Sequence, residues 1–415
     1  MITDGLIQKA ALLLQQGRYS EAENILGQLL TQNPNDIDTL TLLSEANFQQ
    51  KKYDKAEELV NNAIALSPDE SSLFYLKSRI YLYKDEYKEA EKYANTAISL
   101  LPEDENNYVI LSNILLAQKK FQDALDAADR ALSLAPDNVF ALNMRSTALL
   151  KLNNKDESFR TIEEALHENP NNAHTHANYG WGLLEKGDKK KALEHFSEAL
   201  KNDPDNSFAQ AGMVEALKAR FVFYRLFLKY SFWMSNLTSK YQWGVILGFY
   251  FGTKFLQRVA ANNETLRPFL IPIIVLLALF AFSTWIIGPV SNLFLRLNYY
   301  GKHLLSKEEK MSSSLVGIFL GTSILSVIGY FISKDQAFLI LAIFTFTMMI
   351  PVGKIFNQPR NIFFGYNIIM FLLGGYVVFQ TFVNHIVPDN IAIIYFFGFL
   401  AFQFLGNYFS INRKN

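Results

Sequence analysis

The sequence predicts an all-α protein in two parts: a solenoid of about six 34-residue helical repeats, then a bundle of about six membrane-spanning helices. Three observations lead to this fold class. Prolines recur at a fixed interval through the first half, and long uncharged segments fill the second half. Residues 221–415 also hold only 5 of the 39 acidic side chains but 15 of the 39 basic ones, so the first half is acidic and the second basic.

The repeat is defined by prolines spaced 34 residues apart, at Pro34, Pro68, Pro102, Pro136, Pro170 and Pro204. Each proline lies in an acidic or Asn-rich turn, such as NPND or SPDE. Proline cannot continue a helix, whereas Asp or Asn beside it can cap the next one. Each turn is therefore expected to end one helix pair and begin the next.

Small side chains recur at two further positions of the same period. Twelve residues before the prolines lie Ala22, Ala56, Ala90, Ala124, Ser158 and Ala192, and five residues before them lie Leu29, Ala63, Ala97, Ala131, Ala165 and Ala199. In period, proline and alanine, residues 3–206 resemble the tetratricopeptide repeat (TPR). The resemblance implies helix pairs stacked into a superhelix whose concave groove binds peptides or proteins.

Transferring the groove positions of that family gives a set of candidate partner-binding residues on the first helix of each pair. They are Tyr75, Arg79, Tyr83, Asn106, Asn113, Asn143, His174 and Trp181. The alternative for each is an ordinary solvated or packing role. The lysines that members of the family use to clamp an acidic chaperone tail are missing, so that kind of partner is not expected.

Between the two halves, residues 221–240 predict an amphipathic helix lying at a membrane surface, which would also cap the TPR solenoid of residues 1–220. Lys218, Arg225 and Lys229 share one helical face, and Trp233 is an aromatic of the kind that anchors at the interface. These four residues are the predicted contacts with lipid headgroups.

The third region, residues 241–415, is predicted to be the transmembrane helical domain. Five uncharged segments are long enough to cross a hydrocarbon core of about 30 Å. With the glycine-striped segment near 241–260 added, the predicted spans lie near 241–260, 268–290, 311–333, 336–353, 361–384 and 390–412. Glycines four residues apart favour close packing of helices in membranes.

Loop charges predict the orientation of these spans. Lys and Arg concentrate in 296–310, 354–360 and the C-terminal tail, which assigns those segments to the cytoplasm. The N-terminus does not resemble a signal peptide, so the repeat array is also expected in the cytoplasm. Both expectations together require one crossing between residues 207 and 267, which is why 241–260 is counted as a span.

The sequence contains no catalytic motif, no cysteine and no metal-ligand pattern, so we expect a non-enzymatic protein without cofactor or metal. The acidic first half argues against nucleic-acid binding. The predicted function is a scaffold or adaptor in a bacterial inner membrane that binds a protein partner through the TPR groove and contacts membrane lipid. The alternatives are a small transporter or channel with a regulatory TPR domain, and a membrane enzyme acting on lipid-linked substrates; homo-oligomerisation stays open.

Overall fold

The computed structural model describes residues 2–296, 305–356 and 359–411, and for residues 2–4, 239 and 403–411 only the backbone. The described residues form twenty α-helices. The chain divides into two compact units, one containing residues up to Leu183 with Glu194–Asn206, the other containing Leu184–Leu193 with the residues from Ser207 onward. Each unit is considered by itself.

Twelve helices form the repeats as six consecutive pairs. Their bounds are α1 Ile2–Gln15, α2 Tyr19–Gln32, α3 Ile37–Gln49, α4 Tyr53–Leu66, α5 Ser71–Tyr83, α6 Tyr87–Leu100, α7 Glu105–Ala117, α8 Phe121–Leu134, α9 Val139–Lys151, α10 Lys155–Glu168, α11 Ala173–Lys186 and α12 Lys189–Asn202. The prediction of paired helices is confirmed in both the number and the position of the turns.

The turns end and begin helices as the proline positions predict. Each of the six prolines lies in the turn that follows a second helix. Asp36 accepts a hydrogen bond from the backbone N–H of Thr39 at 3.0 Å, and Asn138 accepts one from Ala141 at 3.0 Å. These side chains satisfy N–H groups that the first turn of a helix leaves without a partner.

The core of the repeats combines small side chains between helices with larger apolar ones such as Leu40 and Ile80. The alanines at the two predicted positions are fully buried, as Ala56 and Ala97 are, and so is Ala46. Ser158, which replaces alanine in the fifth repeat, donates to the carbonyl of Ser146 at 2.8 Å while Ser146 donates to the carbonyl of Ser158 at 2.9 Å. The substitution is therefore accommodated by a reciprocal pair of hydrogen bonds between α9 and α10.

Consecutive first helices pack closely against one another along the array, from α1 to α3 and onward to α9. No pair of consecutive second helices is in comparably close contact among the described residues. Elements that approach more closely on one side of a stack lie on the inside of its curve. The first helices of α1–α10 therefore line the concave face of the array.

The remaining helices belong to the second unit. They are α13 Ser207–Lys218, α14 Val222–Asn236, α15 Ser239–Asn262, α16 Arg267–Leu295, α17 Lys307–Ser333, α18 Gln336–Gly353, α19 Arg360–Asn384 and α20 Asp389–Ile411. Helix α17 begins with a capping box between Ser306 and Glu309, and Asp335 caps α18. Met348 and Met349 of α18 are buried against Val316 of α17 and Met370 of α19.

The predicted number of six spans is corrected to four candidate spans. Among the described residues, α16, α17, α18 and α19 are long and apolar enough to cross a membrane. Helix α15 has 24 residues, but Lys240, Gln242, Lys254 and Arg258 make it too polar. In α20 the apolar stretch with described side chains, Asp389–Phe402, is shorter than a span. Lys302, Arg413 and Lys414 belong to segments that were predicted to be cytoplasmic, and they lie outside the described residues.

Glycines four residues apart occur in α15 and α17, and their packing differs between the two helices. A Cβ added at Gly244, Gly248 or Gly252 of α15 would meet no atom within 4 Å, so no helix packs on that stripe. A Cβ at Gly317 of α17 would lie 2.6 Å from Leu293 of α16. Of the glycines at these spacings, Gly317 is the one that packs closely against another described helix.

Candidate protein-binding groove

The groove side of repeats two and three is organised around an ion pair between first helices. Arg79 of α5 donates from Nη1 to Glu45 Oε2 at 2.9 Å and from Nη2 to Glu45 Oε1 at 3.2 Å. The Arg79 guanidinium lies 4.6 Å from the ring centre of Phe48 and 5.6 Å from that of Tyr75. A bidentate, ring-stacked guanidinium has one fixed geometry, so it joins the two repeats rigidly.

An aromatic cluster adjoins this ion pair. The Phe48 ring meets the Tyr83 ring edge to face with centroids 5.2 Å apart, and Tyr53 lies 6.0 Å from Phe48. Tyr83 keeps 60% of its surface exposed, whereas Tyr75 is half-buried and burial raises the pKa of its hydroxyl. Tyr83 is therefore the member of the cluster that can meet a partner.

The predicted asparagines have two different environments. Asn106 and Asn113 are exposed. Asn143 is fully buried: its Nδ2 donates to Thr175 Oγ1 at 2.8 Å, and its Oδ1 accepts from Asn178 at 2.8 Å. Asn143 joins α9 to α11 and presents no free amide, which differs from its predicted role in partner binding.

The sixth repeat contributes His174, which is exposed, and Trp181, which is half-buried. The Trp181 ring packs edge to face on Phe196 with centroids 5.8 Å apart. Beside them, His176 Nδ1 and His195 Nδ1 are 3.0 Å apart, and His176 Nε2 donates to the carbonyl of Pro170 at 3.0 Å. The histidine pair links α11 to α12.

Sequence reasoning missed Glu45, Phe48 and Phe140. Glu45 lies one repeat before Arg79, and Phe140 lies one repeat after Asn106, so the 34-residue period could have found both. Phe140 is 57% exposed on the first turn of α9. Exposed aromatic rings and side-chain amides on one concave surface suit an extended peptide, whose backbone needs hydrogen bonds and whose side chains need apolar contacts.

The predicted membrane-surface residues do not form a single face. Lys218 is 7% exposed; its ammonium lies 3.3 Å from Glu215 and 5.6 Å from the ring centre of Tyr224. Tyr224 donates to Glu215, and burial with that carboxylate raises the pKa of its hydroxyl. Lys218 is therefore buried in an ion pair with Glu215, which differs from its predicted contact with lipid headgroups. Arg225 is half-buried, and Lys229 and Trp233 are exposed.

The described residues include no cluster of metal ligands. Across the described ranges, no group of three or more His, Asp or Glu side chains is placed to hold a metal ion.

Comparison with known protein families identifies the repeats. Tetratricopeptide repeat models match residues 13–80 and 143–207, and a model of the anaphase-promoting complex (cyclosome) subunit 3 matches residues 83–165. The first part of the chain therefore consists of tetratricopeptide repeats, as the resemblance implied. No family model matches the apolar helices, and no curated protein matches the chain.

Solved structures of TPR proteins resemble about half of this chain. A thermophilic TPR protein of Thermus thermophilus is 18% identical to this chain and gives a TM-score of 0.42. The match covers 44% of this chain and 99% of that protein. YrrB, described as a TPR protein with an unusual peptide-binding site, is 20% identical, covers 45% of this chain and 96% of its own, and gives a TM-score of 0.33. A TPR protein of Parabacteroides merdae is 14% identical, covers 51% of this chain and 82% of its own, and gives a TM-score of 0.46.

Proposed function

We propose that this chain is a non-enzymatic membrane scaffold or adaptor, whose TPR groove binds a protein partner at a bacterial inner membrane. The observation that carries the proposal is the exposure of Tyr83, Asn113 and Phe140 on three successive first helices, the helices that line the concave face of the array. TPR domains generally bind protein partners, and four apolar helices of membrane length follow in the same chain. The proposed location of the repeats is the cytoplasmic side.

The described part of the groove favours an uncharged or mixed-charge extended segment as the bound element. Arg79 is already paired with Glu45, so its guanidinium is not free to bind an acidic tail. Tyr83 and Phe140 offer apolar surface, and Asn106 and Asn113 can donate and accept hydrogen bonds. Large aromatic side chains supply most of the affinity in such interfaces.

The proposal is tested by co-purification of the full-length protein in mild detergent. The groove variant carries Tyr83→Ala, Asn113→Ala and Phe140→Ala. The control carries Asn95→Ala, Leu101→Ala and Gln122→Ala, which are exposed residues of second helices and a turn. We expect proteins bound to the wild type and the control to fall at least tenfold on the groove variant, because removing interface anchors costs about 2 kcal/mol or more each.

A protein whose recovery is equal from the two variants would bind elsewhere, and the groove proposal would then fail. Membrane integration has a separate test. The wild-type protein should remain in the membrane fraction after alkaline carbonate washing, whereas release into the supernatant would refute an integral scaffold without bearing on the groove.

A further inference from the structure

Helix α14 lies along the C-terminal half of α16. The rings of Phe221 and Phe294 are 5.1 Å apart between centroids, and Tyr230 meets Phe280 edge to face at 5.3 Å. Helix α16 has 29 residues, which gives a length of about 44 Å against a hydrocarbon core of about 30 Å. With the membrane location proposed above, part of α16 extends beyond the core, and α14 packs on the C-terminal half of α16.

One face of α14 exposes large apolar side chains. Phe223 is 83% exposed, Leu226 61% and Trp233 50%. Their spacing of three and seven residues places them on one stripe of a helix. A stripe of this size on a helix beside a candidate span is typical of a segment that inserts into the interfacial region of a bilayer.

The adjoining face of α14 forms one wall of a small crevice. Arg225 and Lys229, one turn apart, line it together with Lys189 from the start of α12. Leu184, Gly187, Ala219, Leu228 and Phe232 complete the lining, which includes no Asp or Glu. The crevice thus presents three cations in an otherwise apolar setting, all within the second unit.

Lys189 and Arg225 are half-buried and Lys229 is exposed. Several other cations of the chain have a carboxylate partner. Lys52 and Lys55 pair with Glu23, Lys84 with Glu57, Arg145 with Asp129 and Glu157, and Lys218 with Glu215. In the part of the chain that the structure describes, Lys189, Arg225 and Lys229 form no ion pair. Neighbouring like charges without a counterion repel one another, and an anion bound near them relieves that repulsion.

We propose that Lys189, Arg225 and Lys229, which line this crevice, together bind the phosphate of an anionic phospholipid, whose acyl chains lie along the Phe223–Leu226–Trp233 stripe. Arg225 supplies the planar fork that suits phosphate oxygens, and the two lysines supply point charges. A free phosphate ion would use the same cations but would leave the stripe uncovered. This assignment rests on the membrane location proposed above and concerns a surface separate from the groove residues.

The test measures lipid binding to the full-length protein in a nonionic detergent. Native mass spectrometry or thermophoresis compares phosphatidylglycerol with phosphatidylcholine of the same acyl chains, and with inorganic phosphate. Because each basic residue at an anionic lipid surface contributes about a fivefold gain in affinity, Arg225→Gln with Lys229→Gln should weaken phosphatidylglycerol binding roughly 25-fold. Phosphatidylcholine binding should change less than twofold.

The matched control carries Lys190→Gln and Lys191→Gln, exposed lysines of the same turn region that do not line the crevice. It should bind phosphatidylglycerol within twofold of the wild type, and so should Arg225→Lys with Lys229→Arg. If both pairs of glutamine substitutions weakened phosphatidylglycerol binding equally, the attraction would be non-specific and the proposed binding site would be wrong. Inorganic phosphate that displaces phosphatidylglycerol at micromolar concentration would overturn the assignment to lipid. Release of the protein by carbonate with lipid selectivity intact would refute the integral scaffold but not this site.

Discussion

Glu45 and Arg79 occupy the same position in consecutive repeats, 34 residues apart, and their side chains form a bidentate ion pair. The period that sets the fold therefore also sets this pairing. One helix pair presents a carboxylate where the next presents a guanidinium, and stacking superimposes them. Both side chains are about three-quarters buried, so the pair is shielded from solvent more than a surface ion pair is.

A double-mutant cycle of Glu45→Gln and Arg79→Gln should give a coupling free energy of about 1–2 kcal/mol, since the pair is bidentate and only partly exposed. Hydrogen exchange of α3 and α5 in the full chain measures it as local opening. The reference cycle uses Lys92 and Glu89, an exposed pair within α6, which should couple by less than about 0.5 kcal/mol. Equal coupling in the two cycles would contradict a structural role for Arg79.

Gly180→Ala is expected to destabilise the sixth repeat by about 1–3 kcal/mol, through overpacking. An added Cβ would lie 2.7 Å from the ring of Phe196, which is fully buried and has no room to move. Gly27→Ala in α2 is the matched control, because a Cβ there meets nothing within 4 Å. It should stabilise α2 by about 0.5–1 kcal/mol through helix propensity. Thermal unfolding of the two variants should therefore shift in opposite directions.

Acidification should loosen the contact between α11 and α12. Burial, with a smaller contribution from His176, lowers the pKa of His195 below its usual 6.5, while Glu163, Glu194 and Glu198 oppose this shift. His176 Nε2 donates to the carbonyl of Pro170, so in the neutral pair its Nδ1 accepts from His195. Protonation of His195 places a positive charge on a half-buried ring beside His176, which the folded state disfavours.

Because the folded state favours neutral His195, the contribution of this group to stability is fully present above pH 6.5. It falls as the pH decreases from 6.5 through the lowered pKa. The protection factors of amide hydrogens in α11 and α12, which are corrected for the intrinsic slowing of exchange at lower pH, should fall between pH 7.5 and 5.5, whereas those in α3 and α4 should not. His195→Gln should abolish this fall; a fall that persists in this variant would assign the effect to other groups.

The repeat part of the fold could be predicted from sequence because its signals are local and repeated. Proline positions, caps and small residues each recur, so a weak signal in one repeat can be interpreted from the same position in the next repeat. One recurring feature escaped notice: Gly17, Lys51, Asp85, Lys119, Asn153 and Gly187 all have positive φ, again 34 residues apart. Four of the six are not glycine, so the residue type alone does not indicate the left-handed turn.

Elsewhere the sequence was less decisive, because the outcome depended on distant partners. Helical spacing placed Lys218 beside Arg225 and Lys229, but Glu215 and Tyr224 hold its ammonium inside the unit. The repeat pattern predicted Asn143 as a groove residue, but its side-chain carbonyl oxygen accepts a hydrogen bond from Asn178 of the next repeat. The span count failed at α15, where glycines and aromatics suggested a crossing that the polar residues do not support.

The sides on which the four candidate spans emerge can be tested by cysteine labelling, since the chain contains no cysteine. We expect Ser306→Cys and Pro359→Cys to react with an impermeant thiol reagent only in opened cells, because Lys and Arg flank both positions and favour the cytoplasm. Lys334→Cys and His385→Cys should react in intact cells. Asp69→Cys, in a repeat turn, reports the side of the array and is expected to need opened cells. Labelling of Ser306→Cys and Lys334→Cys from the same side would show that α17, which lies between them, does not cross.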